Sequence, residues 1–330
     1  MTPKIYLKNI YFGLIIFSIT TLVLVLGCKN ALSKKTNQYE NLSYELVRFD
    51  QLFKSADKSS FEELKNTYPY LFPGSYPDSY WLGYKEDSIY QALSQRVDKQ
   101  FSDFTKEKNQ INSVFIKLKE YYPSFHPPKV VTLISNLDLN NQVIYADSLL
   151  FISLDNYLGS TSDMYENIPK YVKSYLNPER IPVDVAIALV NKMYVQQPNP
   201  VFVERLVDAG KQKYAVQQLL PNYSEMKIMN YSDEKGQWAR DNEYNIWQYF
   251  MEKEYLYNPD KDLVRRFLDP APFSKFYLES DTESPGQIGA WIGLQIVKSY
   301  AEKNSTQTLP DIMAKPSMEI FNQSKYKPNK

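Results

Sequence analysis

The chain is poor in the residues that build disulfides and zinc sites. Its 330 residues include one cysteine and one histidine. A single cysteine cannot form a disulfide within the chain, and one histidine with one thiol cannot supply a Cys₄, Cys₂His₂ or His₃ zinc site. The composition therefore excludes these zinc centres, and the fold must depend on packing rather than on cross-links.

The chain also lacks an excess of charge of either sign. Lys plus Arg number 38, and Asp plus Glu number 38. Nucleic-acid binding needs a clustered basic surface that displaces counterions, so this balance argues against a nucleic-acid partner. Aromatic residues, in contrast, are abundant. The 28 Tyr, 17 Phe and 4 Trp can fill a core of ordinary size.

The N-terminal segment resembles a bacterial lipoprotein signal. Lys4 and Lys8 precede a mostly apolar run over 10–26, which ends at Gly27 and Cys28. The run is short for a membrane-spanning helix, and polar sequence follows at once. The resemblance implies cleavage before Cys28 and lipidation of Cys28 with diacylglycerol and a fatty acid such as palmitate. The alternative is an uncleaved signal anchor, and both place the folded part outside the cytoplasm.

Three parts are predicted along the chain. Residues 1–27 form the signal peptide, 28–40 a polar tether attached to the lipid, and 41–330 a single folded domain. No acidic cluster follows the cysteine. Surface-exported lipoproteins tend to carry such a cluster, so its absence favours a protein that faces the periplasm. The sequence is compatible with an anchor in the inner membrane and with one in the outer membrane.

Hydrophobic periodicity predicts a single, mostly helical α+β domain with one small sheet. β-branched runs bounded by turn residues predict three strands between 129 and 154, and we expect these strands to pair antiparallel. Apolar residues at helical spacing predict helices before and after the sheet. The expected helices are 59–68, 89–104, 110–121, 184–195, 202–220, 232–255, 260–268, 286–302 and 311–324, the last broken by Pro316.

Acidic side chains offer one route to catalysis. Two sets could supply the acid and the base of a glycosidase-like hydrolase. The sets are Asp50, Asp147 and Asp155, and Glu204, Asp208 and Glu243. Because the chain has 38 acidic residues, chance pairs are expected, and we regard catalysis as the lesser alternative. His126 lies between prolines without a neighbouring nucleophile, so we interpret it as a structural or surface residue.

Two helices carry residues that suit either close packing or a binding cleft. Glu243 and Trp247 share one helical face, as in a core or in an aromatic groove for a partner. Ser284 and Pro285 suit the start of the next helix. The glycines of that helix form a smooth face that can approach another backbone closely. The candidate cleft residues are Glu243, Trp247, Pro285, Gly286 and Trp291, and the glycines are Gly286, Gly289 and Gly293.

Seven short segments are distinctive when taken together. They are RFD (48–50), PKV (128–130), VIYAD (143–147), LDNYLG (154–159), APFSKF (271–276), SPGQIG (284–289) and SKYKP (324–328). With the lipoprotein start, they resemble the GldB family of gliding motility lipoproteins of the Bacteroidetes. The resemblance implies a membrane lipoprotein that is needed for surface gliding. That movement is linked to the machinery that exports adhesins by type IX secretion.

The GldB family is in turn similar to predicted zinc-dependent proteases of zincin-like architecture. Their helix bears His-Glu-x-x-His, which puts two imidazoles on one face beside a basic glutamate. The resemblance places the matching helix over 186–197, with Val190 and Tyr194 at the histidine positions and Asn191 at the glutamate. Asp208 lies near the expected third ligand. The resemblance therefore implies a zincin-like frame with a degenerate site, no metal and no cofactor besides the lipid on Cys28.

Together these inferences predict a non-catalytic, membrane-anchored lipoprotein of gliding and secretion. It would act in the periplasm by binding other proteins of that machinery, in a cleft near Tyr194, Trp247 and Trp291. The alternative is a carboxylate-based cell-wall or glycan hydrolase, or a glycan-binding module. The richness in Tyr and Trp and the expected periplasmic location support that alternative.

Overall fold

In the computed structural model, the chain divides into two compact units, Met1–Ser43 and Tyr44–Lys330. The structure describes residues 39, 42–193 and 198–328, so the lipoprotein signal and Cys28 lie outside the described residues. The second unit is a mostly helical α+β domain, as predicted. In the described ranges, no helix is both long enough and apolar enough to cross a membrane.

A mixed sheet of four strands lies in the first half of this domain. Its spatial order is β1-β2-β4-β3. The strands are β1 (Leu46–Arg48), β2 (Lys129–Leu133), β3 (Val143–Ala146) and β4 (Leu149–Ser153). β2 pairs in parallel with both β1 and β4, whereas β3 and β4 form an antiparallel hairpin.

The pairing corrects the expectation of an antiparallel sheet. The β3–β4 hairpin is antiparallel as predicted, but β4 turns back beside β2 in parallel and leaves β3 at the edge. β1 has no signal in the sequence, because three residues are too few to show an alternation. As a result of the parallel pairing, the carboxyl ends of β1, β2 and β4 meet at one edge of the sheet.

Helices occupy most of the connection between β1 and β2, as a parallel pair requires a long crossover. They are α1 (Phe49–Ser55), α2 (Phe61–Thr67), α3 (Asp78–Glu86), α4 (Ser88–Gln100) and α5 (Thr105–Tyr121). α4 and α5 bury most of the predicted apolar stripes, and Leu93 and Val114 are fully buried, whereas Ile89 at the start of α4 is exposed. The Asp87 carboxylate caps α4, where it accepts hydrogen bonds from the backbone N–H groups of Ile89 and Tyr90.

The second half of the domain is helical. Its helices are α6 (Lys170–Lys173), α7 (Ile181–Val190), α8 (Phe202–Leu219), α9 (Glu225–Met229), α10 (Asp233–Asp241), α11 (Glu243–Glu252), α12 (Asp262–Phe267), α13 (Ile288–Lys303), α14 (Leu309–Ala314) and α15 (Ser317–Ser324). The helix expected over 232–255 is divided at Asn242. The Asn242 side chain donates to the Trp238 carbonyl at 2.9 Å, and such side-chain bonds compete with the helical pattern.

Aromatic side chains fill the core of this helical half, as the composition predicts. Phe202, Phe250 and Phe267 are fully buried, and their ring centroids lie 5.0–5.9 Å apart in edge-on and tilted arrangements. Aromatic rings prefer these geometries over face-to-face stacking. Part of the aromatic excess is thereby explained by packing.

α8 and α13 cross in close backbone contact. A Cβ atom on Gly293 would lie 1.7 Å from the Leu206 carbonyl oxygen, and a Cβ on Gly210 would lie 2.2 Å from the Gly293 carbonyl. Gly289 is similarly crowded, because its Cβ would lie 2.9 Å from the Phe267 carbonyl oxygen. The close packing predicted for the glycine face is therefore confirmed for Gly289 and Gly293, with Gly210 as the opposing residue.

The start of α13 differs from the prediction. The helix begins at Ile288, because Gln287 has a left-handed backbone with a φ of 58°. Ser284 does not cap the helix. Its hydroxyl donates to the Asp281 carbonyl at 2.7 Å and accepts from the Ser274 N–H at 3.0 Å. Gly286 therefore lies before the helix rather than on its face.

The substitution Gly293→Ala is expected to lower the free energy of unfolding by about 3 kcal/mol or more, because the added methyl group meets backbone that cannot rotate away. Urea unfolding followed by circular dichroism measures the change. Gly83→Ala is the matched control, since Gly83 lies in α3 with open space around it. The control should leave stability unchanged or raise it by up to about 1 kcal/mol. Equal effects of both substitutions would contradict the close crossing.

Candidate functional site

A cavity of about 130 Å³ lies where β1 and β2 end. Parallel sheets typically bind ligands at this edge, beyond the carboxyl ends of their strands. Most of the lining side chains are aromatic or aliphatic, and one is a carboxylate. They are Phe49, Asp50, Phe53, Leu71, Phe72, Trp81, Tyr84, Tyr90, Leu133 and Ile134. We call this space the aromatic cavity.

Asp50 borders the aromatic cavity and is held by three donors. Nε and Nη2 of Arg48 donate to its two carboxylate oxygens at 3.0 and 2.8 Å, and the Thr132 hydroxyl donates to Oδ1. Arg48 also donates to the Phe101 carbonyl at 3.0 Å. The Asp50 side chain is 1% exposed, so this is a buried ion pair that joins β1, β2 and the end of α4.

Asp155 follows β4 at the same edge of the sheet and is fully buried. Its carboxylate accepts hydrogen bonds from the backbone N–H groups of Ser135 at 2.9 Å and Leu137 at 2.6 Å. Asn136 and Leu137 both have a left-handed backbone, with φ of 56° and 62°. This conformation is strained for a bulky residue such as leucine, and the two bonds to Asp155 stabilise it. Burial raises the pKa of Asp155, and these hydrogen bonds oppose the rise.

The residues after Asp155 connect this edge to the helical half. The Tyr157 hydroxyl donates to the Asp184 carboxylate of α7 at 3.0 Å, and Arg180 donates to the same carboxylate at 2.8 Å. The Asn156 amide donates to the Asp138 carbonyl at 3.0 Å. The LDNYLG segment is therefore a structural link between the sheet and α7.

Three residues that line the aromatic cavity carry polar groups with no hydrogen-bond partner among the described residues. Trp81 Nε1 is buried and makes no hydrogen bond in the part of the chain that the structure describes. Within the same residues, the hydroxyls of Tyr84 and Tyr90 also make none. Burial, with a smaller effect of the nearby Asp155, raises the pKa of Tyr84 to about 12. A bound group that accepts or donates hydrogen bonds would satisfy these atoms.

Exposed aromatic rings continue from the aromatic cavity to the surface. Tyr76 and Tyr80 are 48% and 45% exposed, and their rings stack with centroids 4.5 Å apart. Both rings also contact the Trp81 ring, which lines the cavity. α3 carries Tyr80, Trp81 and Tyr84 and has no fully buried residue. We call Tyr76 and Tyr80 the aromatic rim, a surface that suits contact with another molecule.

Comparison with known proteins gives one match that covers most of the chain. The family model described as gliding motility protein GldB matches residues 29–328. The chain belongs to this family. No curated protein and no solved structure matches it. The chain is therefore a gliding motility protein, and the family's designation as lipoproteins places it at a membrane of the cell envelope.

In this GldB chain, the carboxylates of the first set do not form one group. Asp50 and Asp155 lie at the same edge of the sheet, whereas Asp147 lies in the β3–β4 turn with a φ of 53°. Both buried carboxylates are engaged by structural donors. His126 is exposed, in agreement with its interpretation as a surface residue.

The residues at the predicted degenerate metal site are placed as follows. Val190 is fully buried at the end of α7, and the Asn191 side chain accepts a hydrogen bond from Gln212 at 2.7 Å. Tyr194 lies outside the described residues. Asp208 lies on α8, accepts from the Ser317 hydroxyl, and has its pKa raised by burial. Among the described residues, no three His, Cys, Asp or Glu side chains are grouped so that they could hold a metal ion.

Asp208 also lines a second cavity, which has a volume of about 360 Å³. We call it the α8 cleft. One of its walls is a stripe of α8, and the other is formed by α12 and the start of α13. The lining residues are Pro200, Arg205, Asp208, Ala209, Gln212, Lys213, Val264, Leu268, Asp269, Gln287 and Ala290. Sequence reasoning finds Asp208 and, within the SPGQIG segment, Gln287. The other residues of the set have no motif in common.

Trp247 and Trp291, two of the three residues that define the predicted cleft, are buried in this structure. The two side chains are 7% and 2% exposed, and the ring of Tyr326 packs edge-on against Trp247 at 5.1 Å. The Tyr326 hydroxyl donates to the Glu243 carboxylate at 2.7 Å, and burial raises the pKa of Glu243. Pro285 is buried as well. Burial favours the packing interpretation of these residues over the cleft.

Gly286 supports the same conclusion. A Cβ atom on Gly286 would lie 2.0 Å from the Ala271 carbonyl oxygen, and the Gly286 carbonyl accepts from the Tyr231 hydroxyl at 2.8 Å. The SPGQIG and APFSKF segments are therefore packed against each other.

Asp155→Asn is expected to lower the free energy of unfolding by roughly 2–4 kcal/mol. The amide offers one acceptor where the carboxylate has two, so its NH₂ group would face the N–H of Ser135 or Leu137. Chemical denaturation of the two proteins measures the difference. Asp147→Asn makes the same change in an exposed turn and should stay within about 0.5 kcal/mol of the unmodified protein. A stable Asp155→Asn variant would show that the carboxylate does not hold this edge.

Proposed function

We propose that this chain is a lipid-anchored, non-catalytic component of the gliding and type IX secretion machinery. It acts by binding another protein of that machinery at the aromatic cavity and the aromatic rim. The main support is the combination, in a gliding motility family member, of an aromatic cavity with unpartnered polar groups and two exposed stacked tyrosines. Such a surface accommodates an aromatic or apolar side chain of a partner.

The state of the two buried carboxylates supports binding rather than catalysis. A catalytic acid or base needs an oxygen within reach of the substrate proton. Asp50 is engaged by Arg48 and Thr132, and Asp155 by the loop after β2. Both carboxylates stabilise the fold through these hydrogen bonds. The cavity therefore presents apolar surface and hydrogen-bonding groups to a partner, and Asp50, the carboxylate in its lining, is already engaged.

The proposed anchor is the lipid on Cys28, and the domain faces the periplasm. The family match begins at residue 29, directly after this cysteine, and the family consists of lipoproteins. A lipid at this position would hold the domain at the membrane while the polar tether over 28–40 separates the two. No metal and no cofactor besides the lipid is part of the proposal.

The double substitution Tyr76→Ala and Tyr80→Ala is expected to reduce gliding speed at least tenfold. The two rings contact mainly each other and Trp81, so their removal takes away the partner surface and leaves the fold intact. Cell tracking on agar measures speed, and immunoblots of membrane fractions check that the protein is present. Tyr257→Ala, at a side chain that is 64% exposed, is the matched control and should glide normally. Normal gliding of the double variant would overturn the proposed binding surface.

A glycan-binding module or glycan hydrolase is the second candidate. The stacked rings of Tyr76 and Tyr80 favour it, because sugar rings pack on such aromatic surfaces. Titration with soluble peptidoglycan fragments, followed by Trp fluorescence, tests this candidate. A change that is lost in the double variant would favour glycan binding, and digestion of the fragments would favour the hydrolase. If the fragments neither change the fluorescence nor are digested, both glycan functions are excluded and binding of a protein partner stays the proposal.

A further inference from the structure

Lys213 of α8 is a largely buried lysine whose ammonium has no hydrogen-bond partner among the described residues. Its side chain lines the α8 cleft, and the residue is 7% exposed. Its ammonium makes no hydrogen bond and no ion pair within the described ranges, although Arg180 and Asp184 lie close enough to affect its charge. A buried charge without a partner is unfavourable, and burial lowers the pKa of Lys213 from 10.5 to about 8.

The nearby carboxylates are already matched by other groups. Asp184 accepts from Arg180 at 2.8 Å and from the Tyr157 hydroxyl at 3.0 Å. Asp208 accepts from the Ser317 hydroxyl and lies 4.0 Å from Lys211. Neither carboxylate therefore neutralises Lys213, and one positive charge is left over beside the cleft.

The other charged groups of the cleft limit what it can bind. The Arg205 side chain donates to the Pro200 carbonyl at 3.0 Å, and Asp269 is exposed at the edge. A phosphate dianion would be repelled by Asp208 and Asp269, and the positive charge of Arg205 already acts on Asp208. A carboxylate carries one negative charge, which Lys213 alone balances.

We propose that the α8 cleft binds a carboxylate group of a peptide, with the Lys213 ammonium as its counter-ion. The carboxylate comes either from an acidic side chain or from a chain terminus. A volume of about 360 Å³ is enough for one such group with a few neighbouring atoms. The site is separate from the aromatic cavity, and the inference does not depend on the proposed function.

Calorimetric titration of the purified protein with defined probes tests the inference. N-acetyl-glutamate amide presents a side-chain carboxylate, acetyl-glycyl-glycine presents a terminal carboxylate, and N-acetyl-glutamine amide is the neutral analogue. We expect at least one carboxylate probe to bind and the neutral analogue not to bind. The carboxylate probe that binds more tightly identifies whether the cleft prefers a side-chain carboxylate or a terminal carboxylate. Failure of both carboxylate probes to bind would overturn the inference.

The substitution Lys213→Met is expected to lower the affinity for the carboxylate probe at least tenfold. Because Lys213 makes no bond in the described structure, the substitution should leave the melting temperature unchanged or higher. Lys303→Met, at an exposed lysine of α13, is the control and should bind as the unmodified protein does. If the Lys213→Met variant bound the carboxylate probe with the same affinity as the unmodified protein, the inference would be overturned.

The pH profile of the unmodified protein gives a second readout that needs no variant. Only the protonated amine attracts a carboxylate, and the folded protein loses this proton near pH 8. The other charged groups that lie near Lys213 or line the cleft are Arg180, Arg205, Asp184, Asp208 and Asp269. Affinity should therefore be constant from about pH 6 to about pH 7, where the probe is ionised and Lys213 is protonated, and fall about tenfold for each pH unit above about 8. An affinity that does not change with pH would contradict the role of Lys213.

Discussion

The backbone contact between Gly210 and Gly293 is the constraint on which the helical half depends. It sets the distance between α8 and α13, and no residue with a side chain fits at either position. Lys213 lies one turn beyond Gly210, and Gln287 lies just before α13 on the far wall of the cleft. The close crossing thus also determines the α8 cleft, because any separation of the two helices would move its walls apart.

At the sheet, two buried aspartates have a comparable role. Asp50 fixes the end of β1 through Arg48 and Thr132, and Asp155 fixes the strained loop after β2. Breaking either set of bonds would leave a buried charge unpaired, which is much less favourable than losing an exposed one. These bonds hold one side of the aromatic cavity rigid, whereas α3 on the other side has no fully buried residue. A rigid wall beside an exposed aromatic helix suits the binding of a partner.

The sequence predicts those elements whose signal is local. α4, α5, α8 and α13 are long and carry apolar residues at helical spacing, so their positions follow from the pattern. α3 gives no such signal, because it buries no residue fully, and the parallel pairing of β2 with β4 joins strands through contacts that lie apart in the chain. The site residues follow the same rule. The burial of Lys213 and the shared edge of Asp50 and Asp155 are set by tertiary packing, so a single sequence shows only their residue types.

The central claim is that the aromatic rim contacts another protein of the gliding machinery. Site-specific photo-cross-linking in gliding cells tests it most directly, with a photoreactive phenylalanine in place of Tyr80 and, as the control, in place of Tyr257. Both positions are exposed, at 45% and 64%. We predict a discrete cross-linked product with one envelope protein from position 80 and none from position 257. No product from position 80, or the same products from both positions, would contradict the account.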